Sequence, residues 1–290
     1  MGILNIFEES FLVIVTQIKD IGGVYQEGID NIFEIKDAKL IAFNLRIEHN
    51  KRFNEIKSVI DGIIEILKQG CYFSYHYDLT NSMQRSHKKI MDCLPLFDRS
   101  NKQYVWNYPM SKRLMERPVS NNWLTPIIQG YVGIAEEEVN GKKLKFILIS
   151  RRSYRHAGTR FNARGVDDHG YAANTVETEQ IVMYNGRTYS YVQIRGSVPV
   201  FWKQIGLAAD VTLTKSPEMG YLAFTKHFDN LVKEYNQVMV FNLLSNRVSR
   251  ELLLINAYED SIKIYEKKVD ANVSYCYFDF HHERKIAVIH

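Results

Sequence analysis

The sequence contains only three cysteines, Cys71, Cys93 and Cys276, and they lie far apart. Because no Cys-x-x-Cys pair occurs, the spacing indicates neither a disulfide framework nor a zinc site, and it favours a reducing compartment. Long apolar runs are also lacking, since nothing approaches the roughly 20 residues that a membrane-spanning helix needs. The early run Phe11–Val15 is too short for the core of a signal peptide. We therefore expect a cytosolic chain with no transmembrane segment in these 290 residues.

A strong net charge is missing as well. The formal charge of +4 permits an acidic partner without requiring one. The composition, 46% hydrophobic and 24% charged, is that of an ordinary globular protein. Frequent aromatic residues, with 18 Tyr and 15 Phe, favour a protein rich in strands over a helical bundle.

Hydrophobic periodicity predicts both strands and helices. Apolar residues at helical spacing predict helices over residues 52–69 and 221–235. Asn140-Gly141 and Asn185-Gly186 are Asn-Gly pairs between β-rich segments, and such pairs favour the type I′ turn of a β-hairpin. Further predicted strands are residues 11–16, 71–77, 144–149 and 238–244, the last of them buried. The mixture predicts an α+β fold that includes an α/β layer.

The clearest charge feature is a basic segment at residues 142–164 that contains no acidic residue. Arginine forks bind phosphate oxygens in bidentate fashion, and glycines such as Gly158 let the backbone approach an anion. An inositol phosphate headgroup, an anionic membrane surface and nucleic acid are all compatible with this segment. A purely structural alternative is that its arginines pair with carboxylates such as Asp167, Asp168, Glu177 and Glu179. Aromatic residues for base stacking are sparse here, which disfavours nucleic acid.

Several ordered motifs resemble those of the Sac-domain phosphoinositide phosphatases, and the likeness covers nearly the whole chain. Four of them lie within the basic segment or after it, at residues 149–153, 158–167, 174–181 and 195–204. Earlier and later segments at residues 72–85, 104–107, 242–244 and 278–281 are similar to other parts of that family. The likeness is strongest to its endoplasmic-reticulum and Golgi members.

This resemblance implies removal of a phosphate from phosphatidylinositol phosphates, chiefly the 4-phosphate, at the cytosolic face of endoplasmic reticulum or Golgi membranes. It places the protein in lipid signalling and membrane trafficking, with phosphoinositides and an anionic membrane surface as partners. It also implies a metal-free and cofactor-free mechanism, in which a Cys-x5-Arg loop forms a phosphocysteine. In the family that loop follows the segment similar to residues 278–281, so we expect it to lie beyond His290.

One Cys-x5-Arg string does occur, from Cys93 to Arg99. We disfavour it as the catalytic loop because Pro95 removes a backbone amide that should face the phosphate. Bulky Leu94, Leu96 and Phe97 replace the small residues of an anion-binding loop. We also disfavour a metal site at His281-His282, because adjacent residues on a strand point to opposite faces.

The candidate site residues therefore bind substrate or support its loop, and none is catalytic. Glu177 and Glu179 are two residues apart, so an extended chain places them on one face, where they are either an acid/base pair or partners of the arginines. The turn at Arg195–Ser197 is expected to bring Arg195 near the basic segment. The proposed substrate-binding residues are Arg151, Arg152, Arg155, Arg160, Asn162, Arg164 and Arg195. The proposed supporting residues are Asp167, Asn174, Glu177, Glu179 and Gln180.

By the same resemblance, residues 1–180 form a strand-rich N-terminal Sac subdomain, and residues 181–290 begin the catalytic subdomain. An incomplete sheet in that second part predicts exposed apolar surface and a protein partner that covers it. Two functional hypotheses remain. The chain is either the front part of an active phosphoinositide phosphatase, or a catalytically inactive Sac-like protein that binds phosphoinositides or serves as a scaffold.

Overall fold

The computed structural model describes residues 1–25, 28–44, 46–86, 94–117, 120, 123–159, 162–204, 210–268 and 273–287. The chain forms two compact units, and each unit is discontinuous in sequence. The first contains residues 1–154 and 176–194, and the second contains residues 155–175 and 195–290. The predicted boundary at residue 180 concerns the subdomains of the family and stays a prediction.

The first unit is built on an eight-stranded sheet whose strand order follows the sequence. Every pair from the first strand to the seventh is antiparallel. The strands are β1 (Gly2–Ile6), β2 (Glu9–Gly23), β3 (Asn31–Ala42), β4 (Cys71–Ser74), β5 (Ile127–Val139), β6 (Lys142–Arg152), β7 (Val176–Tyr184) and β8 (Arg187–Arg195). In such a meander each strand pairs with the next one along the chain, although the connections differ in length: Asn-Gly turns join β5 to β6 and β7 to β8, whereas residues 75–126 join β4 to β5.

Both predicted Asn-Gly hairpins are confirmed. Asn140 and Gly141 have φ values of 53° and 71°, and Asn185 and Gly186 have φ values of 50° and 72°. A type I′ turn requires this left-handed backbone at both central residues, and Asn and Gly adopt it at the lowest cost. The turns join β5 to β6 and β7 to β8.

In the described part of this unit, four α-helices accompany the sheet, and the first confirms the prediction for residues 52–69. They are α1 (Phe53–Leu67), α2 (Met83–Ser86), α3 (Leu96–Arg99) and α4 (Tyr108–Met115). Ile56 and Leu67 of α1 are buried in one core with Phe11, Val13 and Ile35 of the sheet. The apolar stripe of α1 thus covers one face of the sheet, and its polar residues remain at the surface.

The second unit combines helices with very short strands. Its elements are β9 (Trp202–Lys203), β10 (Thr212–Leu213), α5 (Pro217–Tyr235), β11 (Val238–Asn242), α6 (Ser249–Lys268), β12 (Val273–Tyr277) and α7 (Phe280–Ala287). β11 and β12 are parallel and joined through α6, which is a βαβ connection. Phe224 and Phe228 of α5 pack with Tyr258, Ile262 and Tyr265 of α6 to form the core.

The α+β class is confirmed, and some local predictions need correction. β4 ends at Ser74, not at residue 77, and β6 (Lys142–Arg152) extends beyond both ends of the strand predicted at residues 144–149. β11 is only partly buried, because Met239 and Phe241 are 61% and 55% exposed on its open face. His281 and His282 lie in helix α7 and not on a strand, since Asp279 accepts hydrogen bonds from the backbone amide of His282 and begins a helix there.

Among the described residues, no helix is both long enough and apolar enough to cross a bilayer.

Candidate functional site

The predicted site residues are divided between the two compact units. Arg151, Arg152, Glu177, Glu179 and Gln180 lie on β6 and β7 of the first unit. The second unit contains Arg155, Asn162, Arg164, Asp167, Asn174 and Arg195. Arg160 lies outside the described residues. The basic segment of residues 142–164 therefore contributes to two distinct structures.

Arg151 forms the centre of a buried ionic cluster in the first unit. Its Nε lies 2.8 Å from Oε1 of Glu177, and its Nη2 contacts Oε2 of Glu179. Its Nη1 donates to the carbonyl oxygens of Leu79 and Asn81, at 2.6 and 2.8 Å. The side chains of Arg151, Glu177 and Glu179 have no solvent exposure. The guanidinium is thus engaged on every side by the protein itself.

The register of the sheet produces this cluster. Arg151 on β6 is directly opposite Glu177 on β7, and Ile149 is opposite Glu179, so both carboxylates lie on the same face as the arginine. This confirms the prediction that Glu177 and Glu179 share a face. Their positions favour the interpretation that they are partners of an arginine.

Both carboxylates have further partners. Arg85 at the end of α2 places its Nη2 3.2 Å from Oε2 of Glu177. Oε1 of Glu179 accepts from the backbone amide of Met83 and from the hydroxyl of Ser190, both at 2.7 Å. The cluster therefore joins α2, β6, β7 and β8. Sequence reasoning did not single out Arg85, because the pair is separated by 92 residues along the chain.

The charges of the cluster are mutually stabilised. Burial by itself would lower the pKa of Arg151, but the neighbouring Glu177 and Glu179 outweigh that effect and raise it above the ordinary value. Burial also raises the pKa of Tyr77, and the charge of Glu179 adds to the rise. Arg151 thus stays protonated, and Tyr77 stays neutral.

The two other predicted residues on these strands have different surroundings. Arg152 follows Arg151 on β6, and its side chain therefore lies on the opposite face of the sheet. Its guanidinium carbon lies 5.5 Å from the ring centre of Trp106. Partial burial lowers its pKa. Gln180 follows Glu179 on β7, so its side chain lies on the face of the sheet opposite to Glu177 and Glu179.

In the second unit, residues 155–175 form a compact loop that we call the arginine loop. Asn174 holds its two ends together: its Oδ1 accepts from the amide of Gly158 at 3.2 Å, and its backbone amide donates to the carbonyl of His156. Asn174 has a positive φ of 54°, which asparagine tolerates better than most residues. Asn162 is exposed on this loop.

Two arginines of the arginine loop stack on aromatic rings. The guanidinium carbon of Arg155 lies 4.6 Å from the ring centre of Tyr171, and that of Arg164 lies 5.1 Å from the ring centre of Trp202. Arg164 also donates to Oε1 of Gln204 at 3.0 Å. Stacking orients a guanidinium while its edge keeps N–H groups for hydrogen bonds.

Asp167 organises the turn that follows in the arginine loop. Its Oδ1 accepts from the backbone amides of His169 and Tyr171, at 2.9 and 2.8 Å. Asp168 instead pairs with Lys215 at 2.6 Å. The acidic residues of this loop thus cap a turn or pair with a lysine from another segment.

The turn after β8 contacts the arginine loop through Ser197, and the placement of Arg195 near the basic segment stays a prediction. Ser197 accepts through its hydroxyl from the amide of Gly165 at 2.9 Å, and its own amide donates to Ala173. Arg195, two residues earlier, is exposed. A Cβ on Gly165 would come within 2.5 Å of the carbonyl oxygen of Val200, so glycine is required for this approach.

Helix α5 contributes residues to this region that the sequence did not assign to the site. Lys226 donates to the carbonyl oxygen of Asp168 at 3.0 Å, and Nδ1 of His227 lies 3.0 Å from the carbonyl oxygen of Gly170. Burial lowers the pKa of His227 to about 4, so the ring is neutral and Nδ1 donates. The position of Lys226 on the helix face next to the loop could not be recognised without the tertiary structure.

The alternative Cys-x5-Arg string gains no support as a catalytic loop. Cys93 lies outside the described residues. Arg99 ends α3, and its Nη2 donates to the carbonyl oxygen of His76 at 3.0 Å. In the part of the chain that the structure describes, no three His, Cys, Asp or Glu side chains are grouped to hold a metal ion. The prediction of a metal-free and cofactor-free site remains a prediction.

A comparison with protein families decides the lineage. The family model described as the SacI homology domain matches residues 1–285. The chain belongs to the SacI homology domain family. This confirms the predicted relationship, and the ordered Sac motifs described above account for it.

Several curated relatives of this Sac-domain chain carry phosphatase names. It is 29% identical over 292 residues to a Danio rerio protein named phosphatidylinositol-3-phosphatase SAC1-B, covering 98% of this chain and 48% of the relative. It is 32% identical to the Arabidopsis thaliana phosphoinositide phosphatase SAC6, covering 97% of this chain and 48% of the relative. The human phosphatidylinositide phosphatase SAC2 is 31% identical over 87% of this chain, which covers 25% of that relative. The Sac-domain chain thus spans about half, or less, of the length of these proteins.

Proposed function

We propose that this chain is the phosphoinositide-recognition part of a Sac-domain phosphatase that removes the 4-phosphate from phosphatidylinositol phosphates. The Cys-x5-Arg nucleophile loop belongs, in this proposal, to protein outside the 290 residues. The protein acts at the cytosolic face of endoplasmic reticulum or Golgi membranes, in lipid signalling and membrane trafficking. The anionic lipid surface is its partner.

The architecture of the arginine loop carries this proposal. Arg155 and Arg164 are oriented by aromatic stacking, and the loop backbone is fixed by Asn174 and Asp167. A guanidinium held in one orientation loses little conformational entropy when it binds a phosphate in bidentate fashion. Arg195 is exposed on a turn whose Ser197 contacts the same loop. These three arginines, with Asn162, are the proposed phosphate contacts.

The ionic cluster of the first unit has a supporting role in this proposal. Arg151 has no exposed surface and is engaged by two carboxylates and two carbonyls. A phosphate could reach it only by displacing both Glu177 and Glu179. We therefore propose that Arg151, which the sequence suggested as a substrate-binding residue, instead stabilises the sheet.

Lipid binding and turnover test the two parts of the proposal separately. The full chain should bind phosphatidylcholine vesicles that contain phosphatidylinositol 4-phosphate, and bind vesicles with the 3-phosphate isomer less tightly. The purified chain should release no phosphate from either lipid. Phosphate release that Cys93→Ser abolishes would refute the proposed location of the nucleophile. Equal binding to plain phosphatidylcholine vesicles would refute phosphoinositide recognition.

We further propose that additional protein covers the open face of β11 and β12. Parallel sheets are normally covered on both faces, yet Met239 and Phe241 expose large apolar side chains here. Replacing Phe241 by Ser should reduce aggregation of the isolated chain, measured by light scattering, without lowering its unfolding temperature. A large fall in the unfolding temperature would show instead that Phe241 already packs within this chain.

A further inference from the structure

An open cleft in the second unit lies between the arginine loop and helix α5. Its volume is about 460 Å³, which is within the range of small-molecule sites. Arg155, His169 and Tyr171 line it from the loop, and Lys226, Asp229 and Asn230 line it from the helix. Of these six residues, only Arg155 belongs to the motif-based set of candidate site residues.

The walls of the cleft are rigid. Asp167 fixes the backbone of His169 and Tyr171, and Lys226 binds the carbonyl oxygen of Asp168. Asp229 accepts from the hydroxyl of Tyr265 at 2.8 Å, which anchors it to α6. Gly170 has a φ of 87°, and a Cβ there would come within 2.8 Å of the backbone nitrogen of His227, so the turn lies directly against the helix. A site formed in advance binds without first having to order its loop.

The groups that line the cleft combine two chemistries. Arg155 and Lys226 are cations from opposite walls, and an ammonium group has three donors, of which the Asp168 carbonyl uses one. Asp229 and Asn230 offer carboxylate and amide oxygens that accept from hydroxyl groups. An inorganic phosphate would use only the cations. A phosphorylated polyol would use both sets, since its phosphate meets the cations and its ring hydroxyls meet the acceptors.

We propose that this cleft binds the phosphorylated inositol ring, with the phosphate between Arg155 and Lys226 and ring hydroxyls on Asp229 and Asn230. The inference rests on the proposed function. It adds helix α5 as a second wall of the binding site, which makes Lys226 a determinant of headgroup binding. The same chemistry is offered by a lipid headgroup and by a soluble inositol phosphate.

Binding by the full chain tests the cleft with two probes. One is phosphatidylcholine vesicles that contain phosphatidylinositol 4-phosphate, measured by co-sedimentation, and the other is soluble inositol 1,4-bisphosphate, measured by calorimetry. Arg155→Gln and Lys226→Gln should each weaken binding about tenfold, because each removes one charge-assisted contact. Lys263→Gln on α6 is the matched control, since it removes one exposed positive charge of the same unit outside the cleft, and it should bind as the wild type does.

The outcomes separate this inference from the proposed function. Weakening of both probes by both variants supports the cleft with either source of the headgroup, and weakening with vesicles alone supports it for the membrane lipid. If the wild type binds neither probe, the proposed function fails and the cleft proposal fails with it. If the wild type binds but Arg155→Gln and Lys226→Gln bind equally well, only the cleft is refuted. Thermal unfolding identifies a variant that does not fold. The binding of the other variant then shows whether the cleft holds the headgroup.

Discussion

Replacing Arg151 by Met should destabilise the first unit more than any other removal of one charge in the sheet. Met has a similar length and fills much of the space, so the change removes mainly the guanidinium. Glu177 and Glu179 then remain buried. Glu179 keeps the Met83 amide and the Ser190 hydroxyl as hydrogen-bond donors, and both of these are neutral. Removing one partner of a buried ionic cluster costs about 3–5 kcal/mol. The carbonyls of Leu79 and Asn81 also lose their donor.

Urea unfolding, followed by fluorescence and far-UV circular dichroism, measures this loss of unfolding free energy. Arg152→Met is the matched control, because Arg152 is the next residue of β6 and its stacking on Trp106 is worth about 0.5–1 kcal/mol. Equal stability of the two variants at pH 7 would refute the assignment of Arg151 as the centre of the cluster.

Three further predictions follow from burial and packing. The pKa of His227 falls from 6.5 to about 4 on folding, so its contribution to stability is complete above pH 6.5 and is lost as the pH falls. Between pH 7 and pH 5 the wild type should therefore lose about 2 kcal/mol more unfolding free energy than His227→Gln, and equal losses would contradict this. Gly130→Ala should strongly destabilise the fold, because the added Cβ would lie 1.9 Å from the carbonyl oxygen of Ser150. Gly62→Ala in α1 is the control: its Cβ meets no atom within 4 Å, and it should raise the unfolding free energy by about 0.5–1 kcal/mol. Similar unfolding midpoints of the two variants would refute the packing argument. Burial raises the pKa of Cys71 to about 12, so peptide mass spectrometry should find it unmodified by iodoacetamide at pH 8 until the chain unfolds, and rapid labelling in the folded chain would contradict its burial.

Features that depend on neighbouring residues could be predicted from the sequence. The two Asn-Gly hairpins and helix α1 follow from turn chemistry and from an apolar stripe that a short window contains. The family could also be recognised from the sequence, because each motif is a short run of residues that is identified without knowing its tertiary contacts. The α+β class then follows from the elements together.

Features that depend on distant partners could not be predicted. Within its own motif, Arg151 is interpreted as a phosphate ligand. Only the sheet register and the carbonyls of Leu79 and Asn81, which lie 72 and 70 residues earlier, show that its partners belong to the protein itself. The helix at His281 is a different case, because its signal, the capping residue Asp279, is local in the sequence and was not recognised. Lys226 lies in a helix that the sequence does predict, at residues 221–235, but only the tertiary structure shows that its side of the helix faces the turn at Gly170.

The interleaving of the two units also constrains how the protein is made. The sheet adds its strands in the order in which the ribosome releases them, so each new strand finds its neighbour already present. Glu177 and Glu179 emerge only after the arginine loop, which leaves Arg151 on a growing chain without its carboxylates for more than 20 residues of synthesis. The interior of the first unit is therefore completed only after the arginine loop of the second unit has been synthesised. A nascent chain that pauses near residue 175 would expose Arg151 without its carboxylate partners and the unpaired edge of β6, and both could bind a chaperone.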